Sequence, residues 1–534
     1  VASIACWLVS SLERVFPTTR ARTQQRLEVV AARGETISFQ VAVANLHTQE
    51  ATVGLALEPP AGVSARVRRV GFVPMRHFNT QTEEDELDGC GFIPGYVPDP
   101  LWPSSETMIG PFETGAFWVN LTVAQDNAPG TLEVPIQVLA GDEAIPLQLN
   151  VLVGELVLQP RRGFPVTHWF YADALCDWYG VEPFDERFWK VVQPYMRDLV
   201  EHHSNSQYVP IFTPPTDGVK RPTQLLGVMM TRNGKYAFDF NAVRRWVRLA
   251  QRSGATFFEW THLFTQWGAK NALRIYRSNA DDQSLFWPPE TEATSETYRT
   301  FLSQFLPAFY DFLQSEDLLE DSLFHLSDEP HGEEHLANYR KARAMLRELA
   351  PWMRVADALS DIRYGREGLT DIPIPSINTA NEYSKEGIPA WTYYCCGPRG
   401  RYLNRFMDTP LPKIRMNGWL FYALGAEGFL HWGYNYWFKS QTRTLIDPFT
   451  EQAGAAWPGL AYGDTFVVYP GPDGPLDSIR WEVFAESLQD YALLQSAGVQ
   501  RGDPRLAALR DYNDFPKNAA WINQLRAELI GIRR

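Results

Sequence analysis

The hydrophobic period of this chain changes once, near residue 157, and that change limits what its 534 residues can fold into. Before it, apolar residues come in short runs enriched in β-branched side chains: TISFQVAVAN (36–45), ATVGLALEPP, SARVRRVGFV, GAFWVNLTVAQ, TLEVPIQVLAG and AIPLQLNVLVGEL. Turn signals such as NAPG and AGDE part these runs and no amphipathic helix intervenes, the pattern of an antiparallel β-sandwich. A long insert at 76–112 carries TEEDELDG and then GYVPDPLWP. Its length predicts a functional or mobile loop, so deleting Phe92 to Trp102 should lower activity and leave the fold standing.

After QPRRGFP, strand and long helix alternate. Phe188, Val191, Val192, Tyr195, Met196, Leu199 and Val200 recur at helical spacing, as do Tyr298, Phe301, Leu302, Phe305, Leu306 and Phe309. Extended segments fall at 165–171, 207–213, 255–262, 322–328, 353–358, 374–379, 390–396 and 428–434. Eight strands interleaved with helices predict a (β/α)8 TIM barrel with its active site at the C-terminal strand ends. DTFVVYPGPDG (464–474) reads as a hairpin beyond the barrel, with a helix following from Ser478 to Ala497. The expected fold class is α/β with an all-β N-terminal domain: a sandwich over 1–157, a barrel over 163–500 and a helical extension over 501–534.

A formal net charge of -14 and a pI near 5.3 argue against nucleic acid or an anionic membrane as partner. An uncharged glycan or glycoside fits better, and 18 Trp, 22 Tyr and 31 Phe supply aromatic faces of the kind that stack on sugars. No apolar run approaches the roughly 20 residues that span a bilayer. The opening VASIACWLVSSLERVF lacks the basic stretch of a signal peptide and continues as a strand. Five cysteines, odd in number and scattered, give no disulfide framework and no CxxC metal site, so no cofactor is expected.

FHLSDEPH (324–331) sets two carboxylates, Asp328 and Glu329, at the end of the fourth strand. Pro330 biases Glu329 toward extended backbone. Neighbours on a strand point to opposite faces, so both reach one cleft only where the strand frays or bulges. Two carboxyls sharing a cleft raise one pKa, which makes a general acid; the plainer reading is a solvated pair capping the next helix. Polar and aromatic residues gather at the other strand ends: Trp169, Tyr171, Trp260, His262, Asn378, Tyr393, His431, Trp432, Asn435 and Tyr436. That set resembles a carbohydrate lining, although each member also suits a barrel interior. His325 reads as a core histidine. HGEEH (331–335) matches an inverted zinc-peptidase pattern, but it follows a proline and its glycine and two acids make a helix first turn, whereas a zinc helix is expected deep within a core with a third ligand further on.

Glycoside hydrolysis normally uses two separated carboxylates. A common retaining barrel design takes its nucleophile from a Glu on strand seven, where this chain has WTYYCC. A carboxylate at 328 accepts hydrogen bonds only, for instance from the N–H of a 2-acetamido group, whose carbonyl then attacks the anomeric carbon. In that scheme Asp328 orients the acetamido group and Glu329 is the general acid/base. Two alternatives stand beside it: a conventional glycosidase whose second carboxylate is Glu259, Glu382 or Glu427, with Glu259 expected to face away from the cleft, and a non-catalytic carbohydrate-binding protein.

SDEP, HWGYNYW and YGDTFVVYPGPDGPLDSIRWEVFAESLQDYALL, with LERVFP and YVPDPLWP, resemble the glycoside hydrolase family 123 β-N-acetylgalactosaminidases and the related group catalogued as domain of unknown function 4091. The resemblance implies a sandwich followed by a TIM barrel, retention through substrate assistance, no metal, and a catalytic pair at Asp328 and Glu329.

Overall fold

In the computed structural model, residues 4–215, 221–451 and 460–532 are described. The N-terminal part forms two five-stranded sheets. One runs in the order Ile4–Ser10, Thr36–Asn45, Thr114–Val123, Val63–Met75, Gly95–Trp102; the other runs Arg26–Arg33, Glu143–Val157, Gly130–Ala140, Ala51–Leu57, Glu106–Ile109. Pairing is antiparallel throughout except between Arg26–Arg33 and Glu143–Val157, which run parallel. Along Thr36–Asn45 the alternation of a strand sends Phe39, Val41 and Val43 into the core between the sheets, and Ala42 and Ala44 into the core shared with the rest of the chain. Both faces of this sheet are therefore covered, which is why its strands read as unbroken apolar runs.

The 76–112 insert departs from the expected loop. Gly95–Trp102 is the edge strand of the first sheet, with Val97 opposite Val73. Its prolines Pro98 and Pro100 mimic a loop in sequence, but an edge strand tolerates them because its outer N–H groups need no partner. Asp99 on this strand is buried. It accepts from the Arg480 guanidinium at 3.0 Å and from the Tyr469 hydroxyl at 2.7 Å. Deleting Phe92 to Trp102 would remove a sheet edge and leave a buried cation alone, so the segment is structural.

Eight short parallel strands follow: Val166–His168, Ser206–Val209, Phe257–Trp260, Ser322–Phe324, Ala356–Ala358, Ile372–Ile374, Thr392–Tyr393 and Phe429–His431. Each overlaps one of the expected segments. Six of them form one curled parallel sheet in the order fourth, third, second, first, eighth, seventh. The fifth and sixth pair with each other, and single parallel bridges, Phe324 to Val355 and Ser376 to Tyr393, connect that pair to the sheet on either side.

Helices Glu186–Glu201, Asn241–Ser253, Glu296–Ser315, Gly332–Leu349, Leu411–Ala423 and Ile479–Ser496 lie between and after the strands. After the fifth and sixth strands the chain makes only the single turns Arg363–Arg366 and Ala380–Lys385. Asp185 and Ser295 cap their helices by accepting from the N–H of Phe188 and Tyr298. Leu411–Ala423 and Ile479–Ser496 pack so closely that a Cβ at Gly418 would meet the Ser487 carbonyl oxygen at 1.7 Å. Hence glycine at that position. As expected, Val468–Pro470 and Pro475–Asp477 form the late hairpin.

Charge networks tie the two parts together. Arg68 of the sandwich reaches Asp477 and Glu482, and Arg526 of the terminal helix Ala519–Leu529 joins Glu35 to Asp490. No described helix is long and apolar enough to cross a membrane.

Candidate active site

The fourth strand ends at Phe324, and the five residues after it are held by their neighbours. The Asp357 carboxylate accepts from the N–H groups of Leu326 and Ser327; the Ser327 hydroxyl donates to the Thr265 carbonyl at 2.8 Å. Trp267 N–H donates to the Asp328 carbonyl at 2.7 Å, and Glu329 N–H donates to the Ala358 carbonyl at 2.9 Å. Glu329 has φ +42°, left-handed, where Pro330 predicted extended backbone. The proline bias is one of local sterics, and these tertiary hydrogen bonds override it. Such a conformation costs of order 1–3 kcal/mol and persists where the surrounding structure holds it. Its effect is to break strand alternation, so that Asp328 and Glu329 line the same cavity.

That cavity, about 160 Å³, is walled by Trp169, Trp432, Tyr393 and Tyr436 together with Gln266, Trp267, Cys395 and Cys396. Asp328 and Glu329 are the only carboxylates among its described lining residues. The Tyr393 hydroxyl donates to Glu329 Oε1 at 2.7 Å. Burial, then the Glu329 charge, hold that phenol well above its usual range, so it remains a donor at any working pH.

Buried acids fix the aromatic walls from behind. Trp169 Nε1 donates to Glu259 Oε1 at 2.8 Å, and Trp432 Nε1 donates to Asp464 Oδ2 at 3.1 Å. Burial first, and Cys396 next, push the Asp464 carboxyl well above the usual carboxylate range. His325 lies between Glu259 at 2.6 Å and Asp357 at 3.1 Å. Burial alone would lower its pKa, but the hydrogen bonds to Asp357 and Glu259 outweigh it and raise it to about 10. His325 is thus a core imidazolium that neutralises the acid beneath Trp169.

Several expected lining residues lie elsewhere. Trp260 and Glu259 are the reverse of the expectation. Glu259 turns to the inner face of the curled sheet and Trp260 outward, where its indole packs edge-on against Phe309 at 4.8 Å and its Nε1 donates to Ser322 Oγ. His262 sits below the cavity, stacked on His325 at 4.4 Å and edge-on to Trp169. His431 is buried against Tyr394, its Nδ1 accepting from Gly433 N–H. Asn435 clasps the Tyr171 backbone with both ends of its amide, at 2.9 and 3.1 Å, joining the first and eighth strand ends. Tyr171 supports Tyr436 edge-on from behind, 5.0 Å between ring centres. Asn378 is exposed on a turn, and Glu382 and Glu427 are exposed away from the cavity. These strands are two to four residues long, shorter than the pattern implied, so residue spacing alone did not say which side chains reach the cavity.

Sequence reasoning overlooked Gln266, Trp267, Cys395 and Cys396. The first two fall in the loop after the third strand, where no period marks single residues. The cysteines hide in a run, WTYYCC, whose reading turned on the missing Glu. Their sulfurs are 3.8 Å apart and both are free thiols. The hydrogen bond from Cys395 lowers the Cys396 pKa to about 7, and Cys395 is raised correspondingly.

Among the described residues, two buried clusters have ligand types suited to a metal: His262, His325 and Asp357, and Asp198, His202 and Asp477. In the first, both His325 nitrogens already serve carboxylates, and its ring is stacked within 20° of parallel on His262, so their in-plane lone pairs do not converge. In the second, His202 is an imidazolium held by Asp198 at 3.0 Å and Glu482 at 3.2 Å. Each cluster reads as a charge network. His331 and His335 of the HGEEH segment belong to neither: His331 N–H donates to His335 Nδ1 at 3.1 Å, beside a second cavity.

A profile described as glycoside hydrolase 123, catalytic domain, matches residues 169–497. Among solved structures, a family 123 glycoside hydrolase from Clostridium perfringens aligns over 99% of this chain and 97% of its own, with a TM-score of 0.72 at 12% identity. At that identity the likeness concerns the fold. β-Glucuronidase 3 from Bacteroides uniformis, 9% identical over 85% of this chain and 50% of its own, has a TM-score of 0.32, and a FixG-related protein from Vibrio parahaemolyticus, 9% identical over 29% and 98%, has one of 0.17. Neither carries an argument. No curated protein matches the chain.

Proposed function

The chain belongs to glycoside hydrolase family 123, and from that premise we propose that it is an exo-acting β-N-acetylhexosaminidase of the N-acetylgalactosaminidase type, retaining configuration through the substrate's own acetamido group. One observation carries this reading. The cavity presents two adjacent carboxylates and, among the described residues, no third; Glu259 is committed beneath Trp169, and Glu382 and Glu427 are remote. A conventional pair needs carboxyls on opposite sides of the bond, about 5 to 9.5 Å apart. Adjacent ones serve a substrate that brings its own nucleophile.

In the proposed cycle the sugar stacks between Trp169, Trp432 and Tyr436. Asp328 accepts from the acetamido N–H and turns the carbonyl oxygen toward the anomeric carbon. That oxygen forms the new C–O bond as the glycosidic bond breaks, and Glu329 gives its proton to the departing oxygen. Tyr393 occupies Glu329 Oε1, so Oε2 is left to carry the transferred proton. The same hydroxyl stabilises the carboxylate that forms. Glu329 then takes a proton from water, the water oxygen adds to the anomeric carbon, and the ring opens back to the acetamide with configuration retained.

The two bridges flanking the fifth and sixth strands support reading the curled sheet as a closed (β/α)8 barrel. With it go the boundaries 1–157 for the sandwich, 163–500 for the barrel and 501–534 for the extension. The structural neighbour from Clostridium perfringens was studied for glycolipid glycan hydrolysis, and a glycan substrate suits this cavity as well.

The test is release of p-nitrophenol from the β-glycosides of N-acetylgalactosamine, N-acetylglucosamine and galactose. Turnover confined to an acetamido sugar, and lost in Asp328→Asn and Glu329→Gln, is the expected result. Equal turnover of the galactoside would overturn the assisted mechanism.

A further inference from the structure

A second cavity, about 600 Å³, adjoins the first and shares Gln266 and Trp267 with it as a common wall. Its charged lining is of one sign. Lys270 and Arg274 face it beside His331 and His335, and no carboxylate is among its described lining residues, in a chain whose net charge is -14. Neither of the two cations is ion-paired among the described residues. An acidic protein that gathers cations in one hollow beside its reaction centre creates a local field opposite to its own background.

The wall is built to hold this arrangement. Trp267, Gly268 and Ala269 are successive left-handed residues with φ of +58°, +100° and +52°. Trp267 is fastened through its N–H to the Asp328 carbonyl and keeps 43% of its surface exposed. A Cβ at Gly268 would meet the His335 ring at 2.4 Å, so that ring occupies the space a side chain would fill. Strain of this kind persists where the surroundings over-determine it. His335 Nδ1 accepts from His331 N–H, which leaves Nε2 as the protonated, donating nitrogen. His331 Nδ1 in turn lies 3.2 Å from the Glu329 carbonyl. The second cavity therefore begins where the chain leaves the proposed acid.

We infer that this cavity is a leaving-group subsite for an anionic sugar, with Lys270 and Arg274 receiving a carboxylate or sulfate on the residue to which the cleaved N-acetylhexosamine is attached. The inference rests on the glycosidase reading for its place in the reaction, but binding to the cavity is measurable without turnover.

Three disaccharides of one linkage, carrying the N-acetylhexosamine on glucuronate, on glucose 6-sulfate and on glucose, test it by kcat/KM. The intact enzyme should prefer one or both anionic substrates by about fivefold or more over the neutral one, and the better of the two identifies the anion. That preference should shrink toward unity in Lys270→Met/Arg274→Met and at high salt, while turnover of the p-nitrophenyl glycoside is unchanged. Equal rates on all three in the parent, or a preference that survives the double variant, would overturn it. Calorimetric titration of the parent and the double variant with glucuronate, glucose 6-sulfate and glucose gives a readout independent of chemistry. Anion binding lost in the variant supports the subsite even if no glycoside is cut, and absence of any difference between anion and glucose refutes it.

Discussion

The Tyr393 hydroxyl donates to Glu329 Oε1 at 2.7 Å, across a cavity whose other carboxylate is Asp328. Tyr393→Phe removes one hydrogen bond to a charged acceptor, worth about 1.5–3 kcal/mol. The expected result is a fall of about tenfold or more in kcat with KM nearly constant, because the bond matters most as the carboxylate forms. A proportionate change in KM alone would place Tyr393 in ground-state binding.

Glu329 and Asp328 should fail differently. Glu329→Gln loses proton donation, so the loss should be about 10²–10⁴-fold for an alkyl aglycone and far smaller for 2,4-dinitrophenolate, which leaves without help. Asp328→Asn should slow both substrates alike, since orientation of the acetamido group precedes either departure. Identical leaving-group profiles for the two variants would dissolve the division of roles.

Cys396, with its pKa lowered to about 7, lines the cavity as a free thiol. Iodoacetamide should therefore inactivate the enzyme with a rate that is half-maximal near pH 7, and Cys396→Ser should resist. Inactivation that follows the titration of an ordinary thiol, or that persists in the variant, would show that Cys396 is not activated or that another group reacts.

His325 makes stability depend on pH. Its folded pKa, about 10, lies above the unfolded value of about 6.5, so its contribution is complete below pH 6.5 and is lost as pH rises through 10. Urea midpoints should fall from pH 7 to pH 10.5 in the parent, and His325→Gln, lower at pH 7, should lack that share of the slope. Parallel pH profiles would mean that His325 is neutral in the core.

Asp99→Asn should destabilise the whole chain by about 3–5 kcal/mol by leaving the Arg480 guanidinium, fully buried, without its carboxylate. Thermal unfolding is the measurement. A midpoint unchanged within 1–2 °C would make the Gly95–Trp102 strand dispensable after all.

What depends on local pattern was legible in residue order. The shift in hydrophobic period divided the chain near residue 157, and each of the eight extended segments overlaps an observed parallel strand, because burial of alternating or continuous apolar faces is written into residue order. Asp328 and Glu329 stood out for the same reason, as charge at the end of an apolar run.

What a side chain meets across the fold follows from contacts between distant segments. Strand alternation gives two faces but does not say which is inner, so Glu259 and Trp260 came out reversed. Prolines in Gly95–Trp102 read as loop until the sheet supplied an edge for them. The left-handed turn at Glu329, which brings both carboxylates to one cavity against the bias of Pro330, is held by hydrogen bonds to residues from Thr265 to Ala358. Propensity acts between neighbours, over tenths of a kcal/mol to about one; contacts between distant segments act together, and where the two disagree at this site the contacts prevail.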